Sequence, residues 1–126
     1  MEIRKGTESD RASILALIRM YPEQLVQDHL PEPEEFFVAE ENGEVVACCA
    51  LEIYSPKIAE VRSLAVKKEF SGKGIASALV QKCVATAKEQ RVRQVLAITG
   101  AVDFFDKLGF KAFNGEKFAL FKIFED

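Results

Sequence analysis

The spacing of hydrophobic residues changes along residues 59–87, and this change predicts a strand, a loop and a helix in succession. Residues 59–66 form a short run with β-branched residues and leucine, which is typical of a strand. From residue 75 onward, apolar residues recur at spacings of three and four, as on one face of a helix. These are Ile75, Leu79, Val80, Cys83, Val84 and Ala87. We expect the rest of the chain to be organised around this unit.

The first part of the chain predicts a short strand at residues 1–5, followed by a helix. Thr7 and Asp10 have the spacing of a capping box, so we expect this helix to span about residues 8–20. Its buried stripe would consist of Ile14, Leu15, Leu17, Ile18 and Tyr21. Residues 23–29 lie between prolines, and we expect a second short helix or a turn there.

Two further strands are predicted at residues 36–40 and 44–54. Asn42 and Gly43 lie between them, and both residue types tolerate positive φ, so the pair predicts a tight hairpin. We therefore expect the two strands to pair in antiparallel orientation.

The apolar run in residues 94–99 predicts a buried strand after the long helix. A crossover connection would place it parallel to the strand at 59–66, with a right-handed connection. Residues 101–108 predict a short amphipathic helix that Gly109 ends. Its inward-facing residues would be Phe104, Phe105 and Leu108.

The chain is expected to end in a hairpin of residues 110–113 and 118–124, turning at Asn114 and Gly115. The complete order of elements predicts an α/β fold. Its sheet would be mixed and mostly antiparallel, with one parallel pair of strands in the middle and about four flanking helices. Residues 1–126 would form a single domain.

The loop before the long helix has the features of an anion-binding site. Gly72 and Gly74 flank Lys73 where the helix begins, and without a Cβ the backbone there can approach a ligand closely. The first amides of a helix have no partner within it and lie at the positive end of its dipole, so together they hold a phosphate. Such glycines also occur where they serve only tight packing. The spacing excludes a P-loop, and it excludes a dinucleotide fingerprint because Ser77 stands where that motif needs its third glycine.

Composition narrows the location and the class of the protein. The 126 residues are 48% hydrophobic and 29% charged, which is typical of a soluble globular chain. The longest apolar runs, such as residues 45–51, are far shorter than the ~20 residues of a membrane span, and no signal peptide follows residues 1–5. Cys48, Cys49 and Cys83 have no Cys-x-x-Cys spacing. We expect a cytoplasmic protein with buried, reduced thiols and neither a membrane partner nor a metal.

Charge is distributed unevenly along the chain. Residues 1–60 carry 13 acidic and 5 basic residues, and residues 61–126 carry 7 acidic and 12 basic residues, so the halves have net charges of −8 and +5. The anion site lies in the basic half, which favours a polyanionic ligand there and a cationic amine on the other side. Charged faces also occur where nothing binds. The pI near 5.3 and the absence of a basic run argue against nucleic acid as a partner.

Two segments resemble the GCN5-related N-acetyltransferase (GNAT) family, and in particular its small amino-acid acetyltransferase-like members. They are residues 60–76 and residues 104–110, which read Phe-Phe-Asp-Lys-Leu-Gly-Phe. The family's acyl-CoA signature, Gln/Arg-x-x-Gly-x-Gly/Ala, falls on residues 71–76. Gly74 and Ala76 match it, and the first position departs from it because it is a serine. The order of elements also agrees, so the resemblance implies the GNAT fold, in which the central parallel pair is splayed for coenzyme A.

The resemblance implies a binding site for acetyl-CoA as cosubstrate. The backbone groups of Leu64, Ala65 and Val66 would hold the pantetheine, and an amide near Val66 would face the thioester oxygen. The loop and the first turn of the helix would hold the diphosphate through Ser71, Gly72, Lys73, Gly74, Ile75, Ala76 and Ser77. Lys73 would either contact a phosphate or remain a solvated loop lysine.

Glu60 is the candidate general base. The resemblance places it where histone-type members of the family carry a base glutamate, and the alternative is a carboxylate at the exposed end of the strand. Arg62 lies two residues later, so it is on the same face unless a bulge intervenes. Its guanidinium would either pair with Glu60, which would weaken the base, or bind the carboxylate of an acceptor.

The acid for the departing thiolate is missing from the pattern. Many family members carry a tyrosine in Phe-Tyr-x-Lys-Leu-Gly-Phe, and this chain has Phe105 at that position. Its two tyrosines, Tyr21 and Tyr54, match no such position. Ser71 also departs from the family pattern, and this departure removes one expected contact to the cofactor.

The leading hypothesis is an N-acetyltransferase in which a primary amine attacks acetyl-CoA directly in a ternary complex. The acceptor would be a small molecule or an amino acid, and the protein would be a monomer or a homodimer. One alternative is acetylation of a protein lysine or N-terminus. Another is a noncatalytic acyl-CoA-binding or regulatory module, which Phe105 and Ser71 favour.

Overall fold

The computed structural model describes residues 1–112 together with residues 120, 122 and 124. Five strands occur in this part of the chain: β1 (Glu2–Lys5), β2 (Phe36–Glu41), β3 (Glu44–Ser55), β4 (Ile58–Val66) and β5 (Gln94–Leu96). The α-helices are α1 (Arg11–Arg19), α2 (Ile75–Glu89) and α3 (Val102–Lys107). Short 3₁₀ turns occupy Glu8–Asp10, Pro33–Glu35 and Lys68–Phe70.

The five strands form one sheet in the order β1-β2-β3-β4-β5. The first three pairings are antiparallel, and β4 pairs with β5 in parallel. This arrangement confirms the predicted mixed sheet with one parallel pair. Since α2 connects β4 to β5, it provides the crossover that parallel strands require.

Both faces of the sheet are covered, and each face has its own hydrophobic core. On one face, α2 and α3 pack on alternate residues of β2 and β3, such as Phe37, Ala39, Cys49 and Leu51. On the other face, α1 packs on the intervening residues, such as Phe36, Val38, Cys48 and Ala50. The side chains of a strand alternate between faces, so burial on both sides explains why residues 45–51 are almost continuously apolar.

Local sequence signals account for the first helix and the first hairpin. The amide of Thr7 donates a hydrogen bond of 2.8 Å to Asp10, as the capping box predicts. Asn42 and Gly43 have φ values of +51° and +80°, and β2 and β3 pair directly on either side of them. Both predictions are confirmed.

Two expectations differ from the structure. Residues 23–29 form turns, which was one of the two alternatives, and three α-helices flank the sheet in the described residues instead of about four. The strand predicted at 94–99 ends at Leu96, and Ile98 is 66% exposed instead of buried. This happens because the pairing with β4 stops at Leu96. The final hairpin around Asn114 and Gly115 lies outside the described residues and stays a prediction.

None of the helices in the described part of the chain combines the length and the apolar character needed to cross a membrane.

Candidate active site

A β-bulge in the middle of β4 determines which way its side chains point. Cys48 pairs with Ala65 and Ala50 pairs with Arg62, so Ser63 and Leu64 both lie opposite Cys49. Ser63 has a φ of +57°, in the left-handed region that serine seldom adopts. The bulge therefore resets the alternation of side chains along the strand.

The consequence is that the two halves of β4 present different residues to each face. Before the bulge, Val61 belongs to the core under α2, so Glu60 and Arg62 point to the α1 side of the sheet. After the bulge, Leu64 and Val66 pack on the α2 side. The bulge follows both polar residues, so the prediction that Glu60 and Arg62 share a face is confirmed.

Beyond Glu60, β4 has no partner strand on its β5 side within the described residues, and we call this stretch the open edge of β4. The parallel pairing ends where Glu60 meets Leu96, whereas β4 continues to Val66. The amide of Lys67 donates to the carbonyl of Val46 at 2.9 Å, which makes Val66 a non-hydrogen-bonded partner of its neighbour on β3. The amide and carbonyl of Val66 consequently point away from β3, into the space between the diverging strands.

The three backbone positions that the resemblance assigned to pantetheine do not all face this space. Ala65 pairs with Cys48, and in this register its amide and carbonyl point toward β3. Val66 has its backbone groups on the open edge, and Leu64 lies in the bulge. The hydroxyl of Tyr21 donates a hydrogen bond to the Val66 carbonyl, so a side chain from the end of α1 reaches the same edge.

The loop from β4 to α2 ends in an uncapped helix N-terminus. Gly72 and Gly74 have φ values of +75° and +82°, which glycine adopts without strain. Gly74 is the N-cap of α2, and among residues 1–112 no side chain caps the helix. The first bond within the helix runs from Ala78 to the carbonyl of Gly74, at 3.0 Å. The amides of the first turn, which belong to Ile75, Ala76 and Ser77, therefore remain available to a ligand.

This N-terminus has the chemistry of an anion site. The positive end of the α2 dipole lies there, and a Cβ placed on Gly72 or Gly74 would meet no atom within 4 Å, so the front of the loop is open. The ammonium group of Lys73 lies 5.2 Å from the centroid of the Phe70 ring. The amide of Ser71 donates to Lys68 at 3.1 Å and thus helps to shape the loop. A phosphate group fits this set of donors.

Four polar residues meet on the α1 side of β3 and β4, and we call them the β3–β4 polar cluster: Glu52, Tyr54, Glu60 and Arg62. Arg62 donates to Glu52 at 2.8 Å, and Tyr54 donates to Glu60 at 2.5 Å. Arg62 is thus paired with Glu52 and not with Glu60. Partial burial, the bond to Glu60 and the nearby negative charges raise the pKa of the Tyr54 hydroxyl above its usual value.

Glu52 and Tyr54 were not predicted from the sequence as members of this cluster. The available signal was the spacing of two residues between them on a predicted strand, which places them on one face. Their partners on β4 follow from the register, in which Glu52 lies directly opposite Glu60.

Phe105 is a core residue in this structure. It is buried and packs edge-on against Phe104 and Phe110, with ring centroids 5.0 Å and 5.2 Å apart. At this position in α3 the side chain therefore contributes to packing and cannot donate a proton. The tyrosine hydroxyl that does reach the open edge of β4 belongs to Tyr21.

The remaining groups that sometimes carry chemistry are explained by packing or by ion pairs. Cys48, Cys49 and Cys83 are buried free thiols, and burial raises the pKa of Cys48 to about 12, which disfavours a nucleophilic thiolate. The carboxylates of three exposed residues lie within 4.8 Å of one another: Glu8, Glu32 and Glu34. Arg11 bonds to the first two, so the chain itself supplies the positive charge there.

Comparisons with known proteins agree with this geometry. The model of the Acetyltransferase (GNAT) family matches residues 6–110. An uncharacterized N-acetyltransferase of Chlorobaculum tepidum is 41% identical over 101 residues, which are 80% of this chain and 64% of that protein. An amino-acid acetyltransferase of Mycobacterium tuberculosis is 28% identical over 121 residues, which are 90% of this chain and 70% of that protein. This chain therefore spans less than two thirds of the Chlorobaculum relative.

A solved structure shows the same fold with a ligand. It is a Mycobacterium tuberculosis protein in complex with CoA and NLQ, with a TM-score of 0.83 and 29% identity, and the match covers 89% of this chain and 72% of that one. The family match extends over most of the chain, and the sheet has the parallel pair that the resemblance implied. The chain has the GNAT fold and belongs to the GNAT acetyltransferase family.

Proposed function

We propose that this protein is an acetyl-CoA-dependent N-acetyltransferase that acetylates the primary amine of a small molecule or an amino acid. One observation carries the proposal: the open edge of β4 leads directly to the uncapped N-terminus of α2. An extended pantetheine arm matches the first feature and a diphosphate matches the second. The solved neighbour that contains CoA supports this assignment.

The cosubstrate would bind mainly through backbone groups. Val66 offers its amide at the open edge, where its carbonyl accepts a hydrogen bond from Tyr21, and the first turn of α2 offers the amides of Ile75, Ala76 and Ser77. Gly72 and Gly74 permit the loop conformation, and Lys73 adds a positive charge. Ser71 contributes through the loop rather than through a long side chain, so its departure from the signature leaves the backbone donors in place.

The amine would be activated by Glu60. Its carboxylate accepts the ammonium proton, directly or through water, and the neutral nitrogen then attacks the thioester carbon. The C–N bond forms and the C–S bond breaks. The nitrogen gives up its second proton as the amide forms, and the departing thiolate takes up that proton, directly or through water, and leaves as coenzyme A. Glu60 suits this role because Arg62 donates to Glu52 and does not neutralise the negative charge of Glu60.

Arg62 would contact an acceptor that carries a carboxylate. A guanidinium has five N–H donors, and Glu52 takes one from Arg62. The remaining donors suit the carboxylate of an amino acid. The Mycobacterium tuberculosis relative named as an amino-acid acetyltransferase supports this class of acceptor, whereas acetylation of a protein amine remains the alternative within enzymes.

A noncatalytic acyl-CoA-binding module is the second candidate function. Phe105 favours it, because a buried phenylalanine occupies the position where the family pattern has a tyrosine. For either function we propose a cytoplasmic location, which suits the three free buried thiols.

Thermal unfolding with and without acetyl-CoA tests the shared requirement. A ligand at a hundred times its dissociation constant stabilises a fold by about 2.7 kcal/mol. For a chain of this size we expect a rise of roughly 10 °C in the melting temperature. An unchanged melting temperature would refute both functions.

A free-thiol assay over a panel of amines then separates the enzyme from the binding module. The panel contains amino acids, simple primary amines and a lysine peptide. Release of coenzyme A with small amines supports the proposal, and binding without thiol release from any amine supports the module.

A further inference from the structure

A hydrogen bond from Tyr54 on β3 reaches Glu60, the candidate base on β4. We propose that Tyr54 is a positioning residue for Glu60, which fixes the orientation of the carboxylate. This inference rests on the proposed function of Glu60 as the base that takes the proton of the amine.

The backbone aims Tyr54 at Glu60. In the ladder between β3 and β4, Ile53 pairs with Ala59 and Ser55 pairs with Ile58, so Tyr54 is an extra residue without a partner. Bulges of this kind redirect a side chain at the end of a strand pair. Here the redirected hydroxyl lies 2.5 Å from Oε1 of Glu60.

The hydrogen bond from Tyr54 to Glu60 offsets a repulsion between two carboxylates on this face of the sheet. Glu52 and Glu60 are direct cross-strand partners, and like charges in that arrangement repel each other. Arg62 bonds to Glu52 at 2.8 Å and Tyr54 bonds to Glu60 at 2.5 Å, so each carboxylate has its own donor. The cation thus stabilises Glu52, and a neutral hydroxyl stabilises Glu60.

A neutral donor suits a base better than a fixed cation does. Hydrogen bonding to the charged form lowers the pKa of a carboxylate, whereas a bonded guanidinium lowers it further and reduces its basicity. Tyr54 contacts Oε1, and within the described residues no hydrogen bond reaches Oε2 of Glu60. Oε2 is therefore the oxygen that takes the proton.

The groups that act on Glu60 come from two strands. Tyr54 and Glu52 face it from β3, and Arg62 lies on its own strand. The residue opposite it on β5 is Leu96, which is apolar. Of these, Tyr54 is the direct hydrogen-bond partner of Glu60 at 2.5 Å, and its hydroxyl also lies 3.3 Å from Oε1 of Glu52.

The first test compares kcat and KM of the Tyr54→Phe variant with those of the unsubstituted enzyme. Without the hydroxyl, the carboxylate of Glu60 loses its fixed orientation, so kcat should fall about tenfold, as expected for the loss of one hydrogen bond to a charged group. The KM for acetyl-CoA should stay unchanged, because the proposed cosubstrate site lies at Val66 and the start of α2. Glu52→Gln serves as the control, because it leaves the bond from Tyr54 to Glu60 in place and should lower kcat less than Tyr54→Phe does.

The second test is tyrosine fluorescence, which needs no cosubstrate. The chain has two tyrosines and no tryptophan, so in the Tyr21→Phe variant the emission comes from Tyr54 alone. A carboxylate that accepts the phenol proton quenches this emission. The emission at neutral pH should therefore be higher in the double variant Tyr21→Phe, Glu60→Gln than in the Tyr21→Phe variant.

The outcomes separate this inference from the proposed function. A Tyr54→Phe enzyme with an unchanged kcat overturns the positioning role and leaves acetyl transfer intact. Equal emission from the single and the double variant overturns the pairing of Tyr54 with Glu60 itself. If no amine yields free thiol, the proposed function fails while the emission of Tyr54 still reports on the bond. Tyr54 is 51% exposed, so its truncation should preserve the fold, and an unchanged melting temperature checks this.

Discussion

Arg4 and Asp10 tie the first strand to the beginning of α1. Asp10 is only 6% exposed, and it accepts bonds of 2.8 Å and 3.0 Å from Arg4 and of 2.8 Å from the amide of Thr7. The bonds from Arg4, together with that amide, lower the pKa of Asp10 to about 2. A carboxylate with a lowered pKa stabilises the fold above its ordinary pKa and loses this effect as the pH falls through the lowered value.

The replacement Asp10→Asn should therefore destabilise the protein in a pH-dependent way. At pH 7 we expect a loss of about 2 kcal/mol in the free energy of unfolding, because Arg4 loses a charged partner in a largely buried site. Between pH 4 and pH 2 this difference should shrink as Asp10 of the unsubstituted protein is protonated. Denaturant unfolding at several pH values measures it.

Glu8→Gln provides the matched control for that experiment. Glu8 also pairs with an arginine, Arg11, but its side chain is 66% exposed. Exposed ion pairs contribute little, so we expect almost no change in the free energy of unfolding. A constant effect of Asp10→Asn at all pH values would contradict the role of its charge.

At the residue scale, the sequence predicted which residue types would gather but not how they would pair. Glu60 and Arg62 were expected on one face because they are two residues apart, and the structure confirms this. The pairing of Arg62 with Glu52, and of Glu60 with Tyr54, depends on the register between two strands. Register is set by contacts that are distant in sequence, so residue spacing within one strand does not reveal it.

Among the structural elements, the turn from β4 into α2 carries the cosubstrate proposal. Gly74 has a φ of +82°, and a Cβ at this position would meet no atom within 4 Å. A side chain at position 74 would therefore destabilise the fold through its backbone conformation and not through a steric clash. Left-handed backbone costs a residue with a Cβ about 1 kcal/mol or slightly more.

The variant Gly74→Ala should show this cost in two measurements. We expect a loss of about 1 kcal/mol in the free energy of unfolding. Because the N-cap sets the direction of the first α2 amides, we also expect about tenfold weaker binding of coenzyme A by calorimetry, which corresponds to about 1.4 kcal/mol.

Gly100→Ala is the matched control, since Gly100 has equal space for a Cβ and is not among the positive-φ glycines. It should change stability by less than about 0.5 kcal/mol and leave coenzyme A binding unchanged. Equal effects of the two substitutions would refute a special role of the Gly74 conformation.

Elements defined by local signals were predicted well, and those defined by partners were not. The Asn42-Gly43 hairpin and α2 follow from turn residues and from apolar spacing, which act within a few residues. The early end of β5 and the bulge at Ser63 depend on where neighbouring strands diverge. Serine has no marked preference for the left-handed conformation, so its position gave no sequence signal.

Over the whole molecule, the separation of charge along the chain corresponds to the two sides of the proposed site. The acidic half supplies Glu52 and Glu60 near the acceptor, and the basic half supplies the loop with Lys68 and Lys73. Lys67 is paired with Glu44, so its charge is partly neutralised. A diphosphate approaching α2 therefore meets a local excess of positive charge.

Salt should accordingly weaken the binding of coenzyme A. The screening length is about 10 Å at 0.1 M salt and about 3 Å at 1 M, so attraction between the loop and the phosphates is largely lost over this range. We expect the dissociation constant to rise steadily with salt in calorimetric titrations. Lys73→Ala should weaken binding by about fivefold at low salt, as expected for ~1 kcal/mol of attraction between solvated charges, and should flatten the salt dependence. Lys82→Ala removes an equal charge from α2 at a position well after its N-terminus, and it should have little effect on coenzyme A binding. Equal losses for both lysines would show that net charge alone attracts the ligand, because only a site at the α2 N-terminus distinguishes the two positions.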